Sequence, residues 1–333
     1  FQAEDGIRDR SPSRGLGDVY KRQILGTWFL SILSGHRRYA HITTLRADGV
    51  LPELLGMQRI VSEDTVRRGL KAIDDESGLA WSAKHLDASI WPLLSTPWIM
   101  DIDVTVKPLF GHQEAAEVGY NPTKPGRPSH TYHSFIMAGL RLVLGVNVEA
   151  GNASQAKSTL PGLIELLDRL PADKQPSCVR GDCGFGQDAT MRALEDRQTS
   201  YLFKLKLTKN VKRYLEQIFW ADGWQEAGQG WEGREGSLKL MGWQNERRVI
   251  ALRRPLVGDV LLSAQEQQLE LAFVEQTRPA KRYEYAVLVT DLPYKVRALA
   301  QLYRDRADAE NVFDELKNQW GWGGYMTQDL QRC

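Results

Sequence analysis

The sequence has few cysteines, no long apolar run and almost no net charge, and each shortage excludes a class of protein. Its 333 residues include three cysteines, too few and too irregularly placed for a disulfide framework, which favours the reducing cytoplasm. No stretch of about 18 apolar residues occurs, so we expect no membrane span and no membrane partner. The formal net charge is +1, so any binding of nucleic acid must rely on local basic patches. A globular protein of one large domain or two ordinary ones is therefore predicted.

The two ends of the chain differ from the rest. Residues 1–23 are polar, lack apolar periodicity and resemble the translation of a sequencing adapter joined to a fragmentary reading frame. We expect a non-native segment there, with a short disordered native arm as the alternative. The other end stops soon after a predicted helix, so we expect both native ends to be missing.

Residues 24–96 are predicted to be mostly helical and to form a DNA-binding region. Ser62 is typical of a helix N-cap, and Glu63 and Asp64 follow it in the first turn, where the helix dipole favours carboxylates. The helix that begins there resembles the reading helix of a helix-turn-helix, and an ordinary helix pair is the alternative. The side chains that it would project are Thr65, Arg67, Arg68 and Lys71.

Residues 97–206 carry the pattern of an α/β sheet. Three alternating segments are followed by a helix, a strand, a helix and a strand. This order indicates a mixed sheet covered by helices on both sides.

The next segment, residues 207–282, is rich in glycine, tryptophan and short alternating runs, which predicts an inserted antiparallel β subdomain. Residues 283–333 then supply a buried strand and a long helix from about residue 294 to 319. Either residues 283–293 or residues 201–206 could complete the main sheet, and the sequence leaves this open.

The last predicted helix carries polar side chains at an unusual spacing. At 100° per residue, four of them fall in a stripe about 60° wide, beside the core-facing side of the helix. These four are Tyr303, Arg306, Glu310 and Lys317. A solvated helix with ordinary ion pairs is the alternative, and a second carboxylate on the same edge, Asp314, keeps the choice open.

Several carboxylates occur where strands end or turn. Asp101 and Asp103 alternate on one face of the first strand, and Asp182 leaves a later strand for a glycine-containing loop. Such residues are often turn formers. Together with Glu310, however, carboxylates from two strands and a helix would form an oxygen-lined pocket for hard divalent cations such as Mg²⁺. Two such ions can hold the attacking and leaving oxygens of a phosphodiester during an in-line displacement.

These motifs together resemble a known family. The last-helix spacing resembles the Tyr-Arg-Glu-Lys signature of the bacterial insertion-sequence transposases of family four, a branch of the Asp-Asp-Glu transposases. "DIDVTV" is similar to the first motif of that family, an Asp two residues before Thr or Ser, which selects Asp103 over Asp101. "RGDCGFG" resembles the second motif and points to Asp182. The resemblance extends from about residue 98 to the end of the chain.

The resemblance implies a ribonuclease-H-like mixed sheet flanked by helices, with a β insertion ahead of the last helix. It implies cleavage of double-stranded DNA at transposon ends and joining to target DNA, usually by a homodimer, in the cytoplasm in association with the nucleoid. It also implies two Mg²⁺ ions, with Mn²⁺ as a substitute, held by Asp103, Asp182 and Glu310. The residues implied to contact DNA phosphates are Tyr303, Arg306 and Lys317.

Two other functions remain open at this point. A metal-dependent nuclease on the same fold would cut DNA without joining it. A catalytically inactive DNA-binding remnant is the second alternative, because truncated copies of mobile elements are common. The presence of all three carboxylates argues against such a loss.

Overall fold

The fold was analysed on a computed structural model, which describes residues 14–121, 124–256, 283–321 and 324. The chain divides into two compact units. The first unit comprises Phe1–Thr96, Val104–Lys174 and Asp308–Cys333. The second unit comprises Pro97–Asp103 and Gln175–Ala307. Every helix in the described part of the chain is too short or too polar to cross a membrane.

Helices and strands are numbered separately in chain order over the described residues. The α-helices are α1 Arg14–Leu33, α2 Ile42–Leu45, α3 Leu51–Leu54, α4 Glu63–Lys71, α5 Asp75–Ile90, α6 Gln155–Arg169, α7 Asp188–Glu195, α8 Lys209–Ile218, α9 Val296–Arg304 and α10 Ala307–Asn318. The strands are β1 Ile99–Pro108, β2 Glu117–Val118, β3 Pro128–Met137, β4 Leu142–Ala150, β5 Cys178–Gly181, β6 Tyr201–Lys204, β7 Gln225–Gly228, β8 Trp231–Leu238, β9 Arg247–Pro255 and β10 Tyr283–Thr290.

The N-terminal part of the first unit is a group of helices, α1 to α5. Ser62 caps α4 as its sequence indicates, because its Oγ accepts a hydrogen bond from the Thr65 N–H at 3.3 Å. Ile42 and Val66 are fully buried in the apolar core of this group. Helix α1 begins within the segment 1–23, and its residue Gln23 is buried. Part of that segment therefore contributes to the fold, and residues 1–13 lie outside the described part.

The strands of the first unit surround β3. Strand β2 pairs with the start of β3 and β4 pairs with the rest of it, both in antiparallel fashion, and β3 is followed in the sheet order by β1. Helix α6 packs on β3 and β4. Helix α10 packs on β3 through Val312 and Phe313, which contact Ile136.

The second unit continues the sheet order from β1. Strand β1 pairs with β5 in parallel, and β5 pairs with β6 in parallel. Strand β10 is antiparallel to both β6 and β9, and β8 and β7 follow beyond β9. Both candidates for the last strand of the main sheet, β6 and β10, therefore belong to it. The antiparallel strands of the predicted insertion, β7 to β9, extend this sheet through β10, while residues 257–282 lie outside the described part.

The strand order identifies the fold class. In space the strands lie in the order β4-β3-β1-β5-β6. Along the chain, β1, β3 and β4 come first, with only the short β2 among them, and β5 and β6 follow in alternation with helices. This is the ribonuclease-H-like order, and the ten-stranded sheet is mixed in direction. The predicted class, a mixed α/β sheet flanked by helices, is confirmed.

The prediction of one long last helix is wrong, because the segment forms two helices, α9 and α10. The Leu302 carbonyl would normally accept the N–H of Arg306, four residues later, but it accepts a hydrogen bond from Arg180 Nη1–H instead. The Arg306 N–H bonds to the Tyr303 carbonyl at 3.1 Å, three residues back, and the regular helix ends. The assumption of one continuous helix, from which the single stripe of side chains was derived, is therefore wrong.

A buried arginine joins three elements of the second unit. Arg180 Nε–H and Nη2–H donate to the two carboxylate oxygens of Asp101 at 2.6 and 2.7 Å, and these residues are partners in the β1–β5 register. Its third nitrogen holds the Leu302 carbonyl near the end of α9. The side chains of Arg180 and Asp101 are 2% and 3% exposed. We call Arg180, Asp101 and the Leu302 carbonyl the Arg180 clamp.

The Arg180 clamp leads to a prediction about stability. Asp101→Asn keeps the shape of the side chain but leaves the guanidinium buried without its counter-charge, which typically costs about 3–5 kcal/mol. Urea denaturation should therefore show a loss of that order in the free energy of unfolding. The control is Glu226→Gln, which removes the exposed pair Arg297–Glu226 at 2.9 Å and should cost at most about 1 kcal/mol. Equal losses in the two variants would contradict the assigned role of the clamp.

Candidate active site

Two carboxylates of the second unit follow paired residues of the parallel strands β1 and β5. Ile102 and Gly181 are partners in the β1–β5 register, and the residues that follow them are Asp103, within β1, and Asp182, just beyond the end of β5. Side chains two positions apart share a face of a strand, so Asp103 is on the same face of β1 as Asp101 of the Arg180 clamp. We call Asp103 and Asp182 the aspartate pair. The sequence motifs predicted both of them.

The short loop after β5 fixes the position of Asp182. Its Oδ1 accepts a hydrogen bond from the Gly184 N–H at 2.8 Å, which ties the carboxylate to its own turn. Gly181 permits the ring of Phe185 to fold back over the strand, because a Cβ at residue 181 would lie 2.8 Å from that ring and 3.0 Å from Ile102. Glycine is therefore required for this close approach.

The C-terminal end of α9 brings two more of the predicted residues to the aspartate pair. Arg306 Nη2 lies 3.2 Å from Asp103 Oδ1, and the two side chains are 12% and 19% exposed. Tyr303 is largely buried and interacts electrostatically with Arg306 and with both members of the pair. Four of the six predicted residues are therefore neighbours within the second unit.

The electrostatics of these groups follow from burial and from the two carboxylates. Burial raises the pKa of Tyr303 to about 12, with Arg306 opposing the shift and Asp182 contributing to it. The phenol consequently remains a hydrogen-bond donor at neutral pH. Burial alone would lower the pKa of Arg306, but Asp103 and its other neighbours raise it overall.

The two remaining predicted residues belong to α10 in the first unit. Glu310 lies in the first turn of this helix and is exposed. Lys317 Nζ–H donates to Thr105 Oγ1 at 2.9 Å. Thr105 is two residues beyond Asp103 in β1 and belongs to the same unit as Lys317. The other acidic candidate on α10, Asp314, accepts a hydrogen bond from Asn318 at 2.7 Å.

The donor chemistry of the aspartate pair suits a hard divalent cation. Two adjacent carboxylates supply the oxygen ligands that Mg²⁺ and Mn²⁺ prefer. Asp101, the alternative to Asp103, has both oxygens bonded to Arg180. Over the part of the chain that the structure describes, no group of three or more His, Cys, Asp and Glu residues is arranged to hold a metal. The three-carboxylate site therefore stays a prediction.

Arg180 is the residue that the sequence analysis did not identify. It immediately precedes the second motif in the segment "CVRGD", where a charged residue interrupts a short apolar strand. A charged side chain in a buried strand is rare unless it is paired, and this was the available signal. Its partner is 79 positions away in the sequence, so the pairing itself was not visible.

The predicted DNA-reading helix, α4, has an exposed basic side. Arg67, Arg68 and Lys71 are exposed, and the half-buried Thr65 bonds to the N-cap serine. Two of these cations also have partners within the helical group. Arg67 stacks over the ring of Tyr39 at 5.8 Å, and Arg68 donates to the Asp64 carbonyl at 3.3 Å.

The solved structures that match the chain include two of low similarity. The piggyBac transposase, solved as a synaptic complex with hairpin DNA, matches with 11% identity and a TM-score of 0.43, over 96% of this chain and 62% of that one. This chain thus spans less than two thirds of the piggyBac chain. Endonuclease V of Ciona intestinalis, solved with a DNA that contains an inosine, matches with 10% identity and a TM-score of 0.31, over 74% of this chain and 99% of that one. Neither likeness is close enough to transfer a site or an activity.

Comparison with protein families gives the class of the protein. A model of the transposase DDE domain matches residues 16–331, which is nearly the whole chain. The chain belongs to this family, in its group 1. No curated protein sequence matches the chain. The predicted membership of the Asp-Asp-Glu transposases is confirmed at the level of the family.

The burial of Tyr303 predicts a pH dependence. Its pKa is about 12 in the folded chain, above the value of about 10 for an unfolded tyrosine. The folded chain therefore holds this proton more tightly, and the resulting stabilisation, complete below about pH 10, is lost as the pH rises towards 12. The difference in tyrosinate absorbance between the wild type and Tyr303→Phe should rise near pH 12, and near pH 10 after denaturation in urea. A folded-state transition near pH 10 would contradict the burial.

Proposed function

We propose that this chain is a DNA transposase that cuts transposon ends and joins them to target DNA by metal-dependent phosphoryl transfer. The observation that supports the proposal is the register of β1 and β5, in which the residues immediately before Asp103 and Asp182 are partners, in a member of the DDE family. The substrate is double-stranded DNA. The chain acts as a homodimer assembled on that DNA, in the cytoplasm and in association with the nucleoid.

The proposed metal ligands are Asp103, Asp182 and Glu310. The first two are supported by the pairing of the residues that precede them and by their shared electrostatic interaction with Arg306. Glu310 is supported by its place in the family signature. Two Mg²⁺ ions, or Mn²⁺ in their place, would supply charge stabilisation for the attacking and leaving oxygens of a phosphodiester. Asp103 and Asp182 are half-buried, and charges in such a setting act more strongly than in water.

The other signature residues would orient the DNA backbone. Tyr303 keeps its proton at neutral pH and can donate a hydrogen bond to a phosphate oxygen. Arg306 offers a planar set of donors suited to phosphate, and Lys317 supplies a point charge. The contact of Lys317 with Thr105, two residues beyond Asp103, supports a position for this cation along β1.

Exposed cations of α4 would bind DNA away from the reacting strand. Arg67, Arg68 and Lys71 carry three positive charges on one short helix. Phosphate contacts of this kind set the position of a protein on the duplex and make binding dependent on salt.

The first experiment tests the chemistry. Linearisation of supercoiled plasmid and joining of a labelled duplex with a free 3′-hydroxyl would be measured in Mg²⁺ and in Mn²⁺. We expect Asp103→Asn, Asp182→Asn and Glu310→Gln each to lower both rates at least about a hundredfold, because each removes a charge from the metal site. Asp314→Asn, on the same helix as Glu310, should leave both rates unchanged.

Other outcomes of this experiment separate the alternatives. Cutting without joining would identify a nuclease. Binding of DNA without either reaction would identify an inactive remnant. Activity that survives Asp182→Asn would contradict the proposed site.

The second experiment tests the DNA-binding helix. A triple alanine variant of Arg67, Arg68 and Lys71 should weaken binding to duplex DNA. It should also flatten the dependence of log affinity on log salt concentration, by a slope of about one for each phosphate that the helix no longer binds. Fluorescence anisotropy at several salt concentrations measures both. The control removes the same charge from α8, at Lys209, Lys212 and Arg213. An equal effect in the two variants would show that α4 has no special role.

A further inference from the structure

We propose that Arg306 is an exchangeable counter-ion of Asp103: it neutralises this carboxylate before metal binds, competes with the metal for it, and is released towards a DNA phosphate when metal arrives. The inference rests on the proposed function in one respect, the assignment of Asp103 as a metal ligand. It assigns to Arg306 a role towards the metal in addition to the phosphate contact.

Two arginine–aspartate pairs on one face of β1 provide the argument. Asp101 and Asp103 are two positions apart, and each has a guanidinium beside it. Arg180 donates hydrogen bonds from Nε and Nη2 to the Asp101 carboxylate and from Nη1 to the Leu302 carbonyl. That pair is fixed by directional bonds on every side.

The second pair is held differently. Arg306 Nη2 lies 3.2 Å from Asp103 Oδ1, yet neither Nη2 nor Nε of Arg306 forms a hydrogen bond within the described structure, although both atoms are buried. Charge rather than directional bonding keeps this guanidinium in place. Donors without partners in a buried setting are costly, so a ligand that satisfies them is favoured.

The backbone at Arg306 also differs from that at Arg180. Arg180 lies within strand β5, whereas Arg306 lies between α9 and α10, outside both helices. Its N–H bonds three residues back, to Tyr303. The backbone that carries this side chain is therefore a short turn between two helices rather than part of a strand or a helical ladder.

The charges define what the exchange does. A divalent cation on Asp103 places two positive charges near a guanidinium in a poorly solvated site, so the metal and Arg306 disfavour each other there. An arginine that leaves the carboxylate carries free donors arranged to match a phosphate. Metal binding and phosphate binding would thus be coupled through one side chain.

The experiment measures the binding of Mn²⁺ alone to the full chain, without DNA, by calorimetry and electron paramagnetic resonance. Arg306→Gln should bind Mn²⁺ at least tenfold more tightly than the wild type, and Mn²⁺ should raise its melting temperature by more. Arg306→Lys should bind like the wild type. The control Arg297→Gln removes an exposed arginine paired with Glu226 and should not change the affinity.

Each outcome decides between the proposals. If Arg306→Gln binds Mn²⁺ no more tightly than the wild type, while Asp103→Asn abolishes binding, the exchange is overturned and the metal site stands. If Asp103→Asn leaves Mn²⁺ binding unchanged, both the exchange and the proposed metal site are overturned.

A second measurement on the wild type covers the case in which Arg306→Gln does not fold. The Nε–H resonance of Arg306, assigned by its loss in Arg306→Lys, should shift when Mg²⁺ is added. An unchanged resonance at a Mg²⁺ concentration that saturates the site would overturn the exchange.

Discussion

The position of the candidate active site depends on one buried guanidinium. Arg180 is fully engaged by Asp101 on the neighbouring strand and by the Leu302 carbonyl at the end of α9. These contacts set the relation of β1, β5 and α9, and the aspartate pair and Tyr303 belong to the same three elements. A buried ion pair gains little over a well-packed apolar contact, so its value here lies in fixing one arrangement. The clamp positions the groups beside it without itself contacting a substrate.

The end of α9 shows how the clamp also shapes the family signature. Because Arg180 takes the Leu302 carbonyl, the N–H of Arg306 bonds to Tyr303 and the helix stops. The signature is therefore divided between two helices. Tyr303 and Arg306 belong to the second unit, while Glu310 and Lys317 belong to the first. The spacing of these four residues predicts one edge of a single helix, whereas the protein distributes them over α9, the turn after it and α10.

The sequence predicted those features that depend on local pattern. Alternation indicated the strand that carries Asp101 and Asp103, the resemblance to the family motifs then pointed to Asp103 and Asp182, and capping at Ser62 identified the start of α4. The features it missed depend on partners far away in the chain. At the break between α9 and α10, the Leu302 carbonyl accepts a hydrogen bond from Arg180, more than a hundred positions earlier, and helical spacing alone gave no sign of this contact. The pairing of β9 with β10, through which the predicted inserted strands extend the main sheet, likewise depends on register.

Arginine at position 180 does more than carry a charge. Its flat head reaches two carboxylate oxygens and, from another nitrogen, a peptide oxygen near the end of α9, where carbonyls lack their usual helical partners. Lysine has the same charge concentrated on a single nitrogen, and its three donors lack the planar fork that meets two carboxylate oxygens side by side. This position therefore demands a shape as well as a positive charge, and the usual equivalence of the two basic residues fails here.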